Sequence, residues 1–124
     1  MVDFLADSYA LVAFLEGNDR YVRIFRRKRM VTTALNVFEV YATLLRRVDE
    51  EKAKEVCSGL LPLTVDVPPE VALVAGDFRH RMRSIKRDCS YIDAWGYATA
   101  RDLRVPFLTG DPAFRGIDHV EFVR

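Results

Sequence analysis

With 124 residues, half of them hydrophobic and 30% charged, the chain has the profile of one globular domain with room for a real core. Nineteen basic residues against 18 acidic ones leave a net charge of +1, so overall charge points to no class of partner. Cys57 and Cys89 lack metal-ligand spacing, and His80 and His119 stand apart. This argues against a disulfide framework, zinc chemistry and a histidine triad. No apolar run nears the ~20 residues of a membrane span, and no basic stretch precedes an apolar one at the start. A reducing, cytoplasmic setting is the default expectation.

The first element is predicted at Val2 to Ala6, a short apolar strand in "FLADSYALVAF". Asp7 follows it, and a helix is expected from Ser8 to Leu15. "NDRYVRIFRRKR" reads as a second, basic helix, with Asn18 or Asp19 as its cap. "MVTTA" (30–34) is β-rich, and "LNVFEVYATLLRRV" (35–48) has helical spacing with Leu35, Phe38, Ala42 and Leu45 as its apolar stripe. Asp49 to Ser58, closed by Gly59, reads as another helix, and "LLPLTV" (60–65) as a third strand. Pro68 and Pro69 suit the first turn of a helix running to about Ser84. "SYIDAWGYATARDL" (90–103) is apolar on nearly every side and should be a buried helix. "VPFLT" (105–109) and "HVEFV" (119–123) complete the strands, separated by "GDPAFRGID". Strand alternating with helix predicts an α/β fold, a parallel β-sheet sandwiched between α-helices. Ligands of such sheets bind beyond the carboxyl ends of the strands.

Four carboxylates fall in unusual positions for charged residues. Asp7 ends the first strand and Asp111 follows "VPFLT", so both belong to that rim. Glu39 lies on the predicted apolar stripe, where an unpaired carboxylate would cost several kcal/mol or shift its pKa. Asp93 sits in the first turn of the buried helix. Each has an ordinary structural reading. Asp7 suits a helix N-cap, Ser90-x-x-Asp93 a capping box, Asp111-Pro112 a turn, and Glu39 an arginine partner. Taken together, four acids at element ends or on buried faces, without histidine or cysteine, suit oxygen ligation of Mg²⁺ or Mn²⁺ and phosphoryl chemistry.

The stretches "FLADSYALVAF", "TTALNVFEVYATLLR" and "SYIDAWGYATARDLRVPFLTGDPAF" together resemble the PIN-domain ribonucleases, in particular the VapC-like toxins of prokaryotic toxin–antitoxin pairs. The likeness covers nearly the whole chain. It implies a PIN-like three-layer α/β/α fold over residues 1–124. It also implies an acidic quartet of Asp7, Glu39, Asp93 and Asp111 holding one or two Mg²⁺ or Mn²⁺ ions for cleavage of RNA, with Asn36 and Thr109 in support. A homodimer and a cognate antitoxin are implied as well, with Phe14, Tyr21 and Phe25 as candidate dimer contacts. Ala113 departs from the pattern: many relatives carry a further acid there, so a second metal is in question. A pseudo-nuclease, keeping the fold as a binding or scaffold module, is therefore the main alternative. A phosphoacceptor receiver domain also has acids at strand ends but needs neither Glu39 nor Asp93. Arginine-rich segments offer phosphate contacts, with Arg26, Arg27, Arg83 and Arg87 as the candidates, against the plainer reading of solvated helix faces.

Overall fold

The computed structural model describes residues 1–124. Four short parallel strands carry the fold: β1 (Phe4–Ala6), β2 (Met30–Val31), β3 (Phe107–Thr109) and β4 (Val120–Phe122), in the order β2-β1-β3-β4. Six helices connect and cover them: α1 (Ser8–Leu15), α2 (Asp19–Arg27), α3 (Ala34–Leu44), α4 (Glu50–Ser58), α5 (Val71–Ser84) and α6 (Tyr91–Leu103).

The two-residue period of a strand divides the core. Leu5 and Phe107 point into a cluster with Ala75, Phe78, Met82, Ala94 and Tyr97 from α5 and α6. Their neighbours Ala6 and Leu108 point the other way, into a cluster with Ala10, Leu11, Tyr21, Val37, Val40 and Ala53 from α1 to α4. Both faces of the sheet are therefore covered, which gives the predicted three layers. No helix is long and apolar enough to cross a membrane.

Three local expectations change. "LLPLTV" is not a strand: Leu61–Leu63 form a 3₁₀ turn, and only Thr64 reaches the sheet, in a single bridge to Thr32. Pro62 suits the start of that turn and supplies no ladder donor, and Leu61 is exposed. The stripe of α3 is also different. Leu35, Phe38, Ala42 and Leu45 face outward, while Asn36, Val37, Val40 and Leu44 face the core. Glu39 is consequently half-buried at the edge of the packed face rather than on an apolar stripe. Lastly, Phe14 and Phe25 stack on each other with ring centroids 4.3 Å apart, and Tyr21 is fully buried with its hydroxyl donating to the Val123 carbonyl. Tyr21 is thereby closed off inside the chain and cannot be a dimer contact, while Phe14 and Phe25 are half-buried at the seam of α1 and α2.

Candidate active site

In strand order β2-β1-β3-β4 the connections leave β1 and β3 in opposite directions. Their carboxyl ends therefore flank the crevice where ligands of open parallel sheets bind. Asp7 follows β1 and Asp111 lies two residues after β3.

Asp7 is the N-cap of α1. Its backbone is extended (φ −84°, ψ 179°) and Oδ1 accepts from the Ala10 amide at 2.8 Å. It is also 1% exposed. Burial pushes its carboxyl up from the ordinary 3.8 to about 8. The Thr109 hydroxyl and the Ala10 amide favour the ionised form and limit the rise, while the charges of Asp93 and Asp111 add to it.

Asp93 closes a capping box: the Ser90 amide donates to its Oδ2 at 3.1 Å, and its own amide donates to Ser90 Oγ at 3.0 Å. Its carboxyl is raised to about 6, first by burial and then by Asp111 and Glu39, against the opposing Ser90 hydrogen bonds. Asp111 caps the 3₁₀ turn Pro112–Phe114, accepting from the Ala113 amide at 3.0 Å, and its amide donates to Thr109 Oγ1 at 3.0 Å. Thus Thr109, fully buried, serves both Asp7 and Asp111.

Glu39 enters this group through its charge on Asp93 and has no ion-pair partner. Asn36, one turn earlier on α3, is fully buried. Its Oδ1 accepts from the Thr33 hydroxyl at 2.6 Å, and its Nδ2 donates to Ser8 Oγ at 3.1 Å. The start of α3 is thereby fastened to the residue following Asp7. Thr33, Ser8 and two glycines belong to this construction, and the sequence alone marks none of them for it. A Cβ on Gly96 would stand 3.0 Å from the Phe107 ring and 3.3 Å from Asn36 Oδ1. A Cβ on Gly110 would overlap both the Tyr9 ring and the Val123 carbonyl. Only glycine lets the chain pass between those groups on its way to Asp111. The available signal was Gly110 standing directly between Thr109 and Asp111.

The four acids share charge effects, yet no cation stands among them. The ion pairs closer than 4 Å, Arg47–Glu16 and Lys54–Glu50, involve none of the four. An all-oxygen donor set with uncompensated charge fits a hard divalent ion in its chemistry. In this arrangement, however, no three acidic, cysteine or histidine side chains converge to hold one, so the carboxylates would have to swing inward to share it. Each cap hydrogen bond engages only one oxygen of Asp7, Asp93 or Asp111, and the second oxygen of each is not held by the backbone.

The arginine candidates divide. Arg26 and Arg27 are exposed at the end of α2, just before the start of β2, at the amino ends of the parallel strands rather than the carboxyl ends that carry Asp7 and Asp111. Arg83 is exposed on α5 and lines a cavity with Tyr91 and Ala94 at the start of α6. Arg87 donates from Nη1 to the carbonyls of Ala113 (2.8 Å) and Arg115 (2.9 Å), bolting the loop before α6 to the turn after Asp111.

No curated protein matches the chain. Among solved structures it is similar to a toxin–antitoxin complex from Klebsiella pneumoniae, at 17% identity and TM-score 0.75, covering 96% of each chain. A DNA-bound VapBC from Salmonella typhimurium superposes with TM-score 0.78 at 15% identity, over 99% of this chain and 98% of that one. A sarcin-ricin loop cleaving toxin from Mycobacterium tuberculosis does so with TM-score 0.74 at 20% identity, over 95% and 98%. At these identities the likeness speaks for the fold. The family model of the PIN domain, in turn, matches residues 4–120, taking in all four acids and reaching from β1 to the start of β4, and the chain belongs to the PIN-domain family.

Proposed function

We propose that the chain is an endoribonuclease that depends on Mg²⁺ or Mn²⁺, and the toxin of a toxin–antitoxin pair. The observation that carries this reading is the set of carboxylates without a counter-cation at the switch point of the sheet, one of them fully buried. Asp7, Asp93 and Asp111, with Glu39 at the edge, are the proposed ligands. A divalent ion bound there supplies neutralisation of the charge that develops on a phosphodiester and a more acidic water.

The chain's own residues set the terms. The caps on Asp7, Asp93 and Asp111 fix one oxygen of each against the backbone. Thr109 couples the first and third of these acids, and Asn36 holds Ser8 and the start of α3 beside them. With its carboxyl raised to about 8 by burial, Asp7 would have to give up a proton to ligate a cation at neutral pH, so ion binding should liberate protons.

A protein partner is supported by the outward face of α3. Leu35, Phe38 and Leu45 are exposed there, and Phe38, Tyr41 and Leu61 line an apolar groove of about 360 Å³ between α3 and α4. The Klebsiella structure is a toxin–antitoxin complex and the Salmonella structure a VapBC, both with a chain of this fold, which makes an antitoxin the expected occupant. A homodimer and a cytoplasmic setting belong to the same proposal.

The scaffold alternative keeps one specific observation on its side. Ala113 is packed against the core and adds no acid to a site whose side chains do not yet converge. Incubating RNA with the folded protein and Mn²⁺, with Asp93→Asn as the control, decides between the two. Cleavage lost in the variant supports the nuclease, and no cleavage by a folded wild type supports the scaffold.

A further inference from the structure

A cleft of about 750 Å³ lies between α5 and α6 and is not lined by any of the four acids. Its size falls in the ~300–1,000 Å³ range of small-ligand clefts. Gly76, Arg79, His80 and Arg83 line one wall, placed by helical spacing on a single face of α5. Tyr91, the first residue of α6 and two before Asp93, lines the other.

Tyr91 is 77% exposed, more than any other aromatic of the chain, although an exposed ring gains nothing from the core. It is nonetheless held in place. The Arg79 guanidinium stands over one face with its Cζ 4.1 Å from the ring centroid, and Arg79 is itself anchored by Nε donating to the Cys89 carbonyl at 2.9 Å. That leaves the outer face of the ring uncovered. The Arg79 Nη groups have no protein partner, and neither Arg79 nor Arg83 is paired with a carboxylate. A flat, braced aromatic surface beside two unpaired guanidinium groups is the arrangement that binds a nucleotide of a single strand. The base stacks on the ring and the phosphate takes the arginine forks. A base inside a duplex is already stacked and cannot use such a surface.

We propose that the cleft between α5 and α6 is a nucleotide subsite for single-stranded RNA. In it Tyr91 stacks one base, and Arg79 and Arg83 hold an adjoining phosphate. The identity of the ligand rests on the ribonuclease reading, while the subsite can be tested without cleavage. In EDTA, a single-stranded RNA oligonucleotide carrying 2-aminopurine should be quenched on binding the wild type. Tyr91→Ala should weaken binding roughly ten-fold or more, and Tyr91→Phe, which keeps the π-face, should restore it. Arg79→Ala should also weaken binding and lower the slope of log affinity against log salt by about 1. Gly76→Leu supplies a variant that should stay folded, because a Cβ at Gly76 meets nothing within 4 Å. The leucine should fill the cleft and weaken binding too.

Unchanged affinity in Tyr91→Ala and Gly76→Leu, or no quenching by the wild type, would overturn the proposal. So would a Tyr91→Ala protein that differs only in passing from dimer to monomer, since the cleft would then be covered by a second copy. Cleavage with Mn²⁺ in the same variants separates the two readings. If the wild type binds through Tyr91 but does not cut, the subsite stands and the nuclease falls. If the wild type cuts and Tyr91→Ala leaves KM unchanged, the subsite falls alone; the expected result is a raised KM with kcat preserved.

Discussion

Replacing Asp7 by Asn tests the electrostatic account of the site at its most buried point. The Asp7 carboxyl moves from 3.8 to about 8 on folding, chiefly through burial. At about 1.4 kcal/mol per pH unit, that displacement corresponds to roughly 5–6 kcal/mol between the ionised and neutral forms. The sign follows from proton counting. Between about pH 4 and 8 the folded chain holds a proton on Asp7 that the unfolded chain has released, so stability falls as pH rises through this window and levels off above it. Side-chain rotation and water entry screen part of the effect, leaving on the order of 3 kcal/mol as the expected loss between pH 5 and pH 8. That is a large fraction of the ~5–15 kcal/mol that holds a domain of this size together.

Asn caps a helix as well as Asp does and cannot ionise, so it should still accept from the Ala10 amide while removing the pH term. The assay is urea unfolding in EDTA at several pH values, followed by the fluorescence of Trp95, the sole tryptophan, two residues beyond Asp93. Asp7→Asn should match the wild type at pH 5 within about 1 kcal/mol and exceed it by about 3 kcal/mol at pH 8. Calorimetry of Mn²⁺ binding in buffers of different ionisation enthalpy should show proton release from the wild type at neutral pH. A wild-type stability that does not fall relative to Asp7→Asn between pH 5 and 8 would refute the account of a carboxyl held neutral by burial.

Asp93→Asn should abolish Mn²⁺-dependent cleavage of RNA while apo stability holds or rises by up to about 1 kcal/mol. The amide oxygen can still accept from Ser90, and the repulsion from Asp111 and Glu39 disappears. Paired cleavage rates and unfolding midpoints check this, and full activity in the folded variant would count decisively against the role. Charge reversal at Arg83 should flatten the salt dependence of RNA binding by about 1 in slope, whereas reversal at Arg26 or Arg27, at the amino ends of the strands, should change it less. Filter binding at graded salt distinguishes them. Gly110→Ala should destabilise the chain by about 2–3 kcal/mol and impair cleavage with every acid intact, because its Cβ would overlap the Val123 carbonyl and the Tyr9 ring. Chemical denaturation and the cleavage assay together read out this variant.

The sequence was most informative where chemistry is local. Asp7, Ser90 with Asp93, and Asp111 with Pro112 are capping and turn signals read within three or four residues, and they set the helix starts and the ends of β1 and β3. The α3 face was illegible for a physical reason. Residues 35–45 hold two apolar stripes, and the buried one includes Asn36, whose amide makes it look like the wet side. Burial of that amide is compensated by Thr33 and by Ser8, 28 residues away, and no local pattern reveals the second bond. "LLPLTV" misled because its composition suits a strand, while Pro62 and the single pairing of Thr64 decide otherwise. The bracing of Tyr91 by Arg79 likewise joins two helices and exists only once they pack.

The capping role and the proposed site role of these acids first present themselves as alternatives, but the two are compatible. Asp7, Asp93 and Asp111 are all caps, and all three belong to one electrostatic group. Capping alone, however, does not account for the choice of residue. Asn and Ser cap as well as Asp, within a contribution of about 0.5–2 kcal/mol, and neither carries a charge into the interior. At a surface position the difference would be small. At Asp7, which is 1% exposed and lies near two other acids, ionisation costs more than the cap returns, and an uncharged cap would give the more stable protein. Under the proposed metal-binding role, what aspartate adds there is a negative charge for a cation once its proton leaves, with one oxygen held by the helix it caps. A protein that needed only the helix would be better served by asparagine in that place.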